Sequence, residues 1–177
     1  ESTCPSGVHY SRLLDIGREV VEQKVPRSGG DAFMRATLKN LLPRSTLFGT
    51  AMKLGQSVRL LLPGALRAKV PPLSSAGTVP HRSHARQMIA LAGCVQPSMY
   101  PNVNGATRRV LDRLGIQMVE ADGAGCCGAV RLHLNAAEGS RDDARRNIDS
   151  WWPLFVAGAE CLVMTASGCG SHVLESA

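Results

Sequence analysis

The sequence predicts an α/β fold, with a helical N-terminal arm followed by a small, all-parallel sheet. Three observations predict it. Short apolar runs, "RQMIALAG" (86–93), "IQMVE" (116–120) and "ECLVMTA" (160–166), are each closed by small or turn-forming residues, as buried strands are. Stretches of helical periodicity separate them, and strand–helix–strand alternation implies parallel pairing with right-handed crossovers. Before residue 71 the pattern is helical only, and a Pro/Ser-rich segment, "PPLSSAGTVPHRSHA", divides the two regimes. The expected organisation is 1–70 for the arm, 71–85 for a linker and 86–177 for a Rossmann-like sheet domain.

The arm reads as three helices. "VHYSRLLDIGREVVEQK" (8–24) repeats apolar side chains at Tyr10, Leu13, Leu14, Val20 and Val21, and Pro26 with "SGG" ends it. "DAFMRATLKNLL" (31–42) stops before Pro43. "STLFGTAMKLGQSVRLLL" (45–62) offers Ser45 as an N-cap and a stripe from Leu47 to Leu62, which we read as packing surface. In the second regime, "PNVNGATRRVLDRLG" (101–115) places Val103, Ala106, Val110, Leu111 and Leu114 on one face, with Gly115 as the stop. "GSRDDARRNIDSWWPLFVAG" (139–158) is a helix with Ala144, Ile148, one of Trp151 or Trp152, and Phe155 inward. Pro153 is expected to kink or break it. The last segment, "SGCGSHVLESA", turns into a helix.

Composition narrows the function. The net charge of +6 would suit an anionic partner, but the basic residues are spread and interleaved with acids, as in "RDDARR". Only 4% of residues are aromatic, which argues against a base-stacking platform, so no nucleic-acid partner is expected. No apolar run reaches the roughly 20 residues that span a bilayer. "ESTCPSGV" at the start has no signal-peptide pattern. The chain opens without Met and stops as a helix begins, so it reads as a piece of a longer protein.

The six cysteines carry the chemistry. In a chain without a secretion signal they point to metal or redox chemistry before disulfides. Cys94 ends the first strand, Cys126 and Cys127 follow the second, and Cys169 follows the third. Loops after the C-terminal ends of parallel strands share one edge, where ligands bind, so four thiols from three loops are expected to converge. Cys161, within the third strand, reads as a buried core residue. Thirty-one residues lie between Cys94 and Cys126 and forty-one between Cys127 and Cys169, unlike the tight pairs of structural zinc sites. Adjacent cysteines suit different irons of one cluster better than one tetrahedral ion. Glycines in "GAGCCGA" and "SGCGS" allow close backbone approach and offer amide donors to cluster sulfur. At the N-terminus, "ESTCP" matches the tail of the bacterial ferredoxin run Cys-x2-Cys-x2-Cys-x3-Cys-Pro, which makes Cys4 a further candidate ligand. His81 and His84 read as solvated. His172 and His133 are weaker metal candidates. Zinc held by Cys94, Cys126 or Cys127, Cys169 and His172, and a metal-free basic interaction domain, stay open as alternatives.

Taken together, "GCVQPSMYPNVNGATRRVLDRLGI", "AGCCGAV", "HLNA", "ARRNIDSWWP" and "VMTASGCG" resemble the iron–sulfur subunits of bacterial glycolate oxidases, in the wider family of CCG cysteine-rich domains. The resemblance implies the end of a ferredoxin-like domain, connecting helices and the first of two CCG repeats. By the same resemblance Cys4 is a ferredoxin ligand, and Cys94, Cys126, Cys127 and Cys169 hold a [4Fe-4S] cluster. FAD would sit only on a partner flavoprotein subunit that oxidises glycolate to glyoxylate. Electrons would pass toward a quinone or another acceptor, in the cytoplasm or at the cytoplasmic face of the inner membrane. Related subunits serve lactate utilisation, glycerol-3-phosphate dehydrogenase and heterodisulfide reductase. One position departs from the family pattern: the closing Cys-x2-Cys reads "ASGC", with Ala166 in place of the first cysteine.

Overall fold

In the computed structural model, which describes residues 5–80 and 82–176, the α/β expectation holds. Cys4 and His81 lie outside the described residues. The arm comprises α1 (Tyr10–Lys24), α2 (Gly29–Leu41), α3 (Ser45–Ser57), a single 3-10 turn (Arg59–Leu61) and α4 (Gly64–Lys69). The third predicted helix therefore ends early, at Ser57 rather than at residue 62. Ser45 is its first helical residue and no side chain caps it. Ser28, which the sequence reading passed over, does cap α2: its Oγ accepts from the Asp31 N–H at 3.2 Å.

The second part contains β1 (Arg86–Leu91), α5 (Gln96–Met99), α6 (Pro101–Arg113), β2 (Ile116–Glu120), α7 (Ala129–His133), α8 (Ala137–Val156), β3 (Leu162–Met164) and α9 (Ser167–Ser176). The strands form one parallel sheet in the order β2-β1-β3, with Ile89 opposite both Val119 and Leu162. Chain order reverses at β1, so the β1/β3 edge is the switch point where such sheets bind ligands. Ile89, Leu91, Cys127, Ala129, Trp151 and Ala159 form the core, with Met164, Cys169 and Val173 packed against them.

The segment before β1 has no regular structure, yet it is docked. Arg109 on α6 donates to the carbonyls of Ala76 (2.7 Å) and Thr78 (3.3 Å), and His84 pairs with Asp112 at 2.8 Å. The approach is so close at Gly105 that a Cβ there would lie 2.1 Å from the Ala76 oxygen.

Further readings are corrected. His84, read as solvated, is largely buried against Asp112. Val103, Ala106 and Val110 on α6, and Leu114 just past its end, are exposed, because the helix meets its neighbours through Gly105 and partly buried Asn104 and Leu111. On α8, Ile148 faces solvent and the inward face is Ser140, Asp143, Asn147 and Trp151. Pro153 sits inside α8 without dividing it. Cys161 is exposed, not core: β3 begins one residue later, on a sheet edge. Only the Cys161 carbonyl joins the sheet, accepting the Ile89 N–H at 2.9 Å.

Candidate metal centre

The three loops after the strands deliver their cysteines to one place. Cys94 follows β1 by three residues, after a turn at Gly93 (φ +82°), and precedes α5. Cys126 and Cys127 end the loop from β2 to α7. Cys169 occupies the first turn of α9, just past β3. Cys94, Cys126 and Cys127 are buried and Cys169 is partly so, and none is in a disulfide. Their thiols are hydrogen-bonded in a string: Cys94 to Cys126, Cys126 to Cys127, Cys127 to Cys169. Cys161 stands apart from this group.

Proton affinities follow from that packing. The hydrogen bond to Cys126, and then burial, pushes the Cys94 thiol far up. Cys126 is pushed up to about 11, first by its hydrogen bond with Cys127 and also by burial, against an opposing contact with Cys94. For Cys127 the bond with Cys126 pulls downward, but the bond with Cys169 and burial prevail and the thiol also reaches about 11. Cys169 alone is lowered, by its hydrogen bond with Cys127. Backbone amides favour the thiolates: Gly128 N–H donates to Cys126 Sγ at 3.4 Å, and the Ala129 and Val95 backbones act likewise on Cys127 and Cys94.

Two polar networks set these loops, and the sequence reading found neither. Asn147, 1% exposed, turns its whole amide to the double-cysteine loop. Its Oδ1 accepts from Gly125 N–H and its Nδ2 donates to the Cys126 carbonyl, both at 2.8 Å. Beside it, Asp143, also 1% exposed, pairs through Oδ1 with Arg131 and Arg146, each at 2.7 Å. The second network ties the Cys94 turn to the end of β3. Gln96 donates to Asn104 Oδ1 (2.6 Å) and to Thr165, Thr165 Oγ1 donates to Asn104, and Asn104 Nδ2 donates to the Ala92 carbonyl at 3.1 Å. The signal for both was present as polar residues at helix positions that the topology turns inward.

Gly128, next to Cys127, is held at φ +95°, and a Cβ there would meet Ser140 Oγ at 2.7 Å and the Ser140 carbonyl at 2.9 Å. The same Ser140 hydroxyl lies 3.3 Å from His172 Nε2. The His172 ring is also hydrogen-bonded to the Cys127 backbone, and burial lowers its pKa. His133 meets Arg18 (2.9 Å).

Among the described residues, no three His, Cys, Asp or Glu side chains are grouped as they would be around one metal ion. Besides its bond with Cys127, Cys169 lies within electrostatic reach of Cys94 and Cys126.

Comparison with known proteins shows what this arrangement is similar to. Residues 89–173 match the family model described as CCG, Cysteine-rich domain. Along 99% of its length the chain is similar to two curated proteins. It is 50% identical to "Glycolate oxidase iron-sulfur subunit" of Escherichia coli (strain K12), covering 43% of that protein. It is 26% identical to "Probable glycolate oxidase iron-sulfur subunit" of Bacillus subtilis (strain 168), covering 45%. The chain thus spans less than half the length of these relatives. No solved structure matches. The CCG match spans all four clustered cysteines, and the similarity to the relatives extends through the arm.

Proposed function

We propose that this chain is the central part of an iron–sulfur electron-transfer subunit of a glycolate dehydrogenase complex. The observation that carries this reading is the string of four thiols from three loops inside the CCG domain. The donor set is all sulfur, with amide donors aimed at three of the four sulfurs, and this is the environment of a cluster. A string of neighbouring thiols suits a group with several irons, each taking its own thiolate, better than a single ion. Cys94, Cys126, Cys127 and Cys169 would hold the group, proposed as [4Fe-4S]. Cys4 would belong to a separate ferredoxin-type cluster. The group supplies one-electron transfer when bound. The protein's part is to bind it, orient it and keep water away, through the buried loop, the Asn147 amide and the glycine-lined backbone.

In this reading the subunit does not abstract hydride. That chemistry belongs to the flavin of a partner subunit oxidising glycolate to glyoxylate, and electrons leave toward a quinone or another acceptor. The names of the two relatives support glycolate over other 2-hydroxy acids. Among the described residues no helix is long and apolar enough to cross a membrane. We place the complex in the cytoplasm, in contact with the inner membrane only through other subunits. The 71–85 segment is proposed as the boundary between the connecting helices and the CCG repeat.

The test uses the full-length protein with its co-purifying flavoprotein, under anaerobic conditions. Glycolate is expected to bleach the iron–sulfur absorption, and Cys127→Ser is expected to lower iron content and bleaching while flavin content stays unchanged. Bleaching by lactate or glycerol 3-phosphate but not glycolate would move the protein to another CCG oxidoreductase. Unchanged iron and bleaching in Cys127→Ser would remove the loop from the site.

A further inference from the structure

Beside the double-cysteine loop, α8 holds a charge whose place is fixed on both sides. The Arg146 guanidinium donates to the Cys126 carbonyl at 3.2 Å and lies against Gly125, where a Cβ would come within 3.0 Å of its Nη2. Its other end is fixed by Asp143 Oδ1 at 2.7 Å. Arg131 takes the same carboxylate oxygen at 2.7 Å and is anchored in turn to the Gly139 and Lys39 carbonyls. Two guanidiniums on one carboxylate leave this cluster with one net positive charge. The Arg146 side chain is 42% exposed, so its charge is partly screened by solvent, but the Cys126 it contacts is fully buried and Asp143 nearly so, and toward the loop the screening is weaker than at the open surface.

We propose that Arg146 is the residue that biases the electron-accepting site of this loop toward its reduced form. The inference rests on the iron–sulfur reading above and adds a role that no cysteine fills. Uptake of one electron from the partner flavin proposed above would add one negative charge to the bound group. A thiolate-ligated cluster is already anionic, and a fixed cation beside it favours the added electron and raises the potential. Asp143 works in the opposite sense and sets how much of the arginine charge is felt.

The test is a redox titration of the iron- and sulfide-loaded full-length protein and three variants, monitored by EPR. Iron and sulfide contents are measured first. Arg146→Gln is expected to shift the midpoint potential down. Asp143→Asn, nearly isosteric, is expected to shift it up. Arg146→Lys, which keeps the charge, is expected to stay close to the parent. Opposite signs in the Gln and Asn variants separate an electrostatic role from a structural one, because loosening the loop has no reason to reverse sign between them. Shifts of the same sign, or no shift in either fully loaded variant, overturn the proposal. A shift in the Lys variant as large as in the Gln variant does the same. Where Arg146→Gln does not load, the Asn variant alone decides by its sign. A parent protein that holds no cluster contradicts the iron–sulfur reading itself.

Discussion

The arm and the sheet domain carry similar apolar periodicity and use it differently. In the domain, Ile89, Leu91, Met118 and Trp151 are buried. In the arm, Tyr10, Leu13, Ile16, Leu54, Leu60 and Leu61 are exposed, and no residue of α2 is buried. The contacts that attach the arm include polar ones: Asn135 to the Arg18 carbonyl (3.0 Å), Arg131 to that of Lys39 (3.4 Å) and Gln56 to that of Ser98 (3.2 Å). Two of these reach α7 and its end, and one reaches the end of α5, the helices that follow the double-cysteine loop and the Cys94 turn. An apolar stripe in a sequence therefore marks a helix and not a buried face. Burial is decided by what lies opposite, and a sheet supplies that where four short helices do not.

The contrast can be tested from its strongest side downward. Ile89→Ala, at a fully buried position between two strands, is expected to cost roughly 2–5 kcal/mol in denaturant unfolding. Next comes Asn147→Ala, which strands the Gly125 N–H and the Cys126 carbonyl in a buried place. It is expected to cost roughly 2–4 kcal/mol and to reduce iron loading, whereas an effect confined to loading would mean that the clamp is not structural. Gly128→Ala is expected to follow at about 2 kcal/mol, from the left-handed backbone and the crowding against Ser140. Leu61→Ala on the arm, 85% exposed, is expected to fall within about 0.5 kcal/mol. A loss as large as that of Ile89→Ala would show the stripe buried in solution.

The thiols give the domain a pH signature on the alkaline side. Cys126 and Cys127 hold their protons up to about 11 in the folded, metal-free chain, above the ordinary value of 9.0. Between those values the unfolded chain binds fewer protons than the folded one, so stability falls as pH rises. It is fully present below pH 9. Urea midpoints for the metal-free protein are therefore expected to drop between about pH 9 and 11, and to drop less in a Cys126→Ser/Cys127→Ser variant. Loading with metal must displace these protons, so assembly is expected to release them.

Much of this was legible in the sequence. Three short apolar runs closed by small or turn residues marked the strands, and the position of each cysteine after a strand told that the thiols meet at one edge. The failures share a cause. On α8 the apolar Ile148 and Trp152 point outward because the helix packs on a loop that needs Asn147 and Asp143, not on a bare sheet. Hydrophobic periodicity cannot announce a polar face whose partners are backbone groups far along the chain. Cys161 was misplaced because one residue at the start of an edge strand separates a core side chain from an exposed one. The short helices α5 and α7, of four and five residues, are below the length at which a repeat is visible.

The central claim is that Cys94, Cys126, Cys127 and Cys169 hold one iron–sulfur group while Cys161 takes no part. Iron and acid-labile sulfide, measured together after anaerobic loading of the full-length protein, test it most directly. The comparison is among the parent, Cys127→Ser and Cys161→Ser. Cys161→Ser is expected to match the parent in both quantities, and Cys127→Ser to lose iron and sulfide together. Equal losses in the two variants, or a parent holding iron without sulfide, would contradict the account.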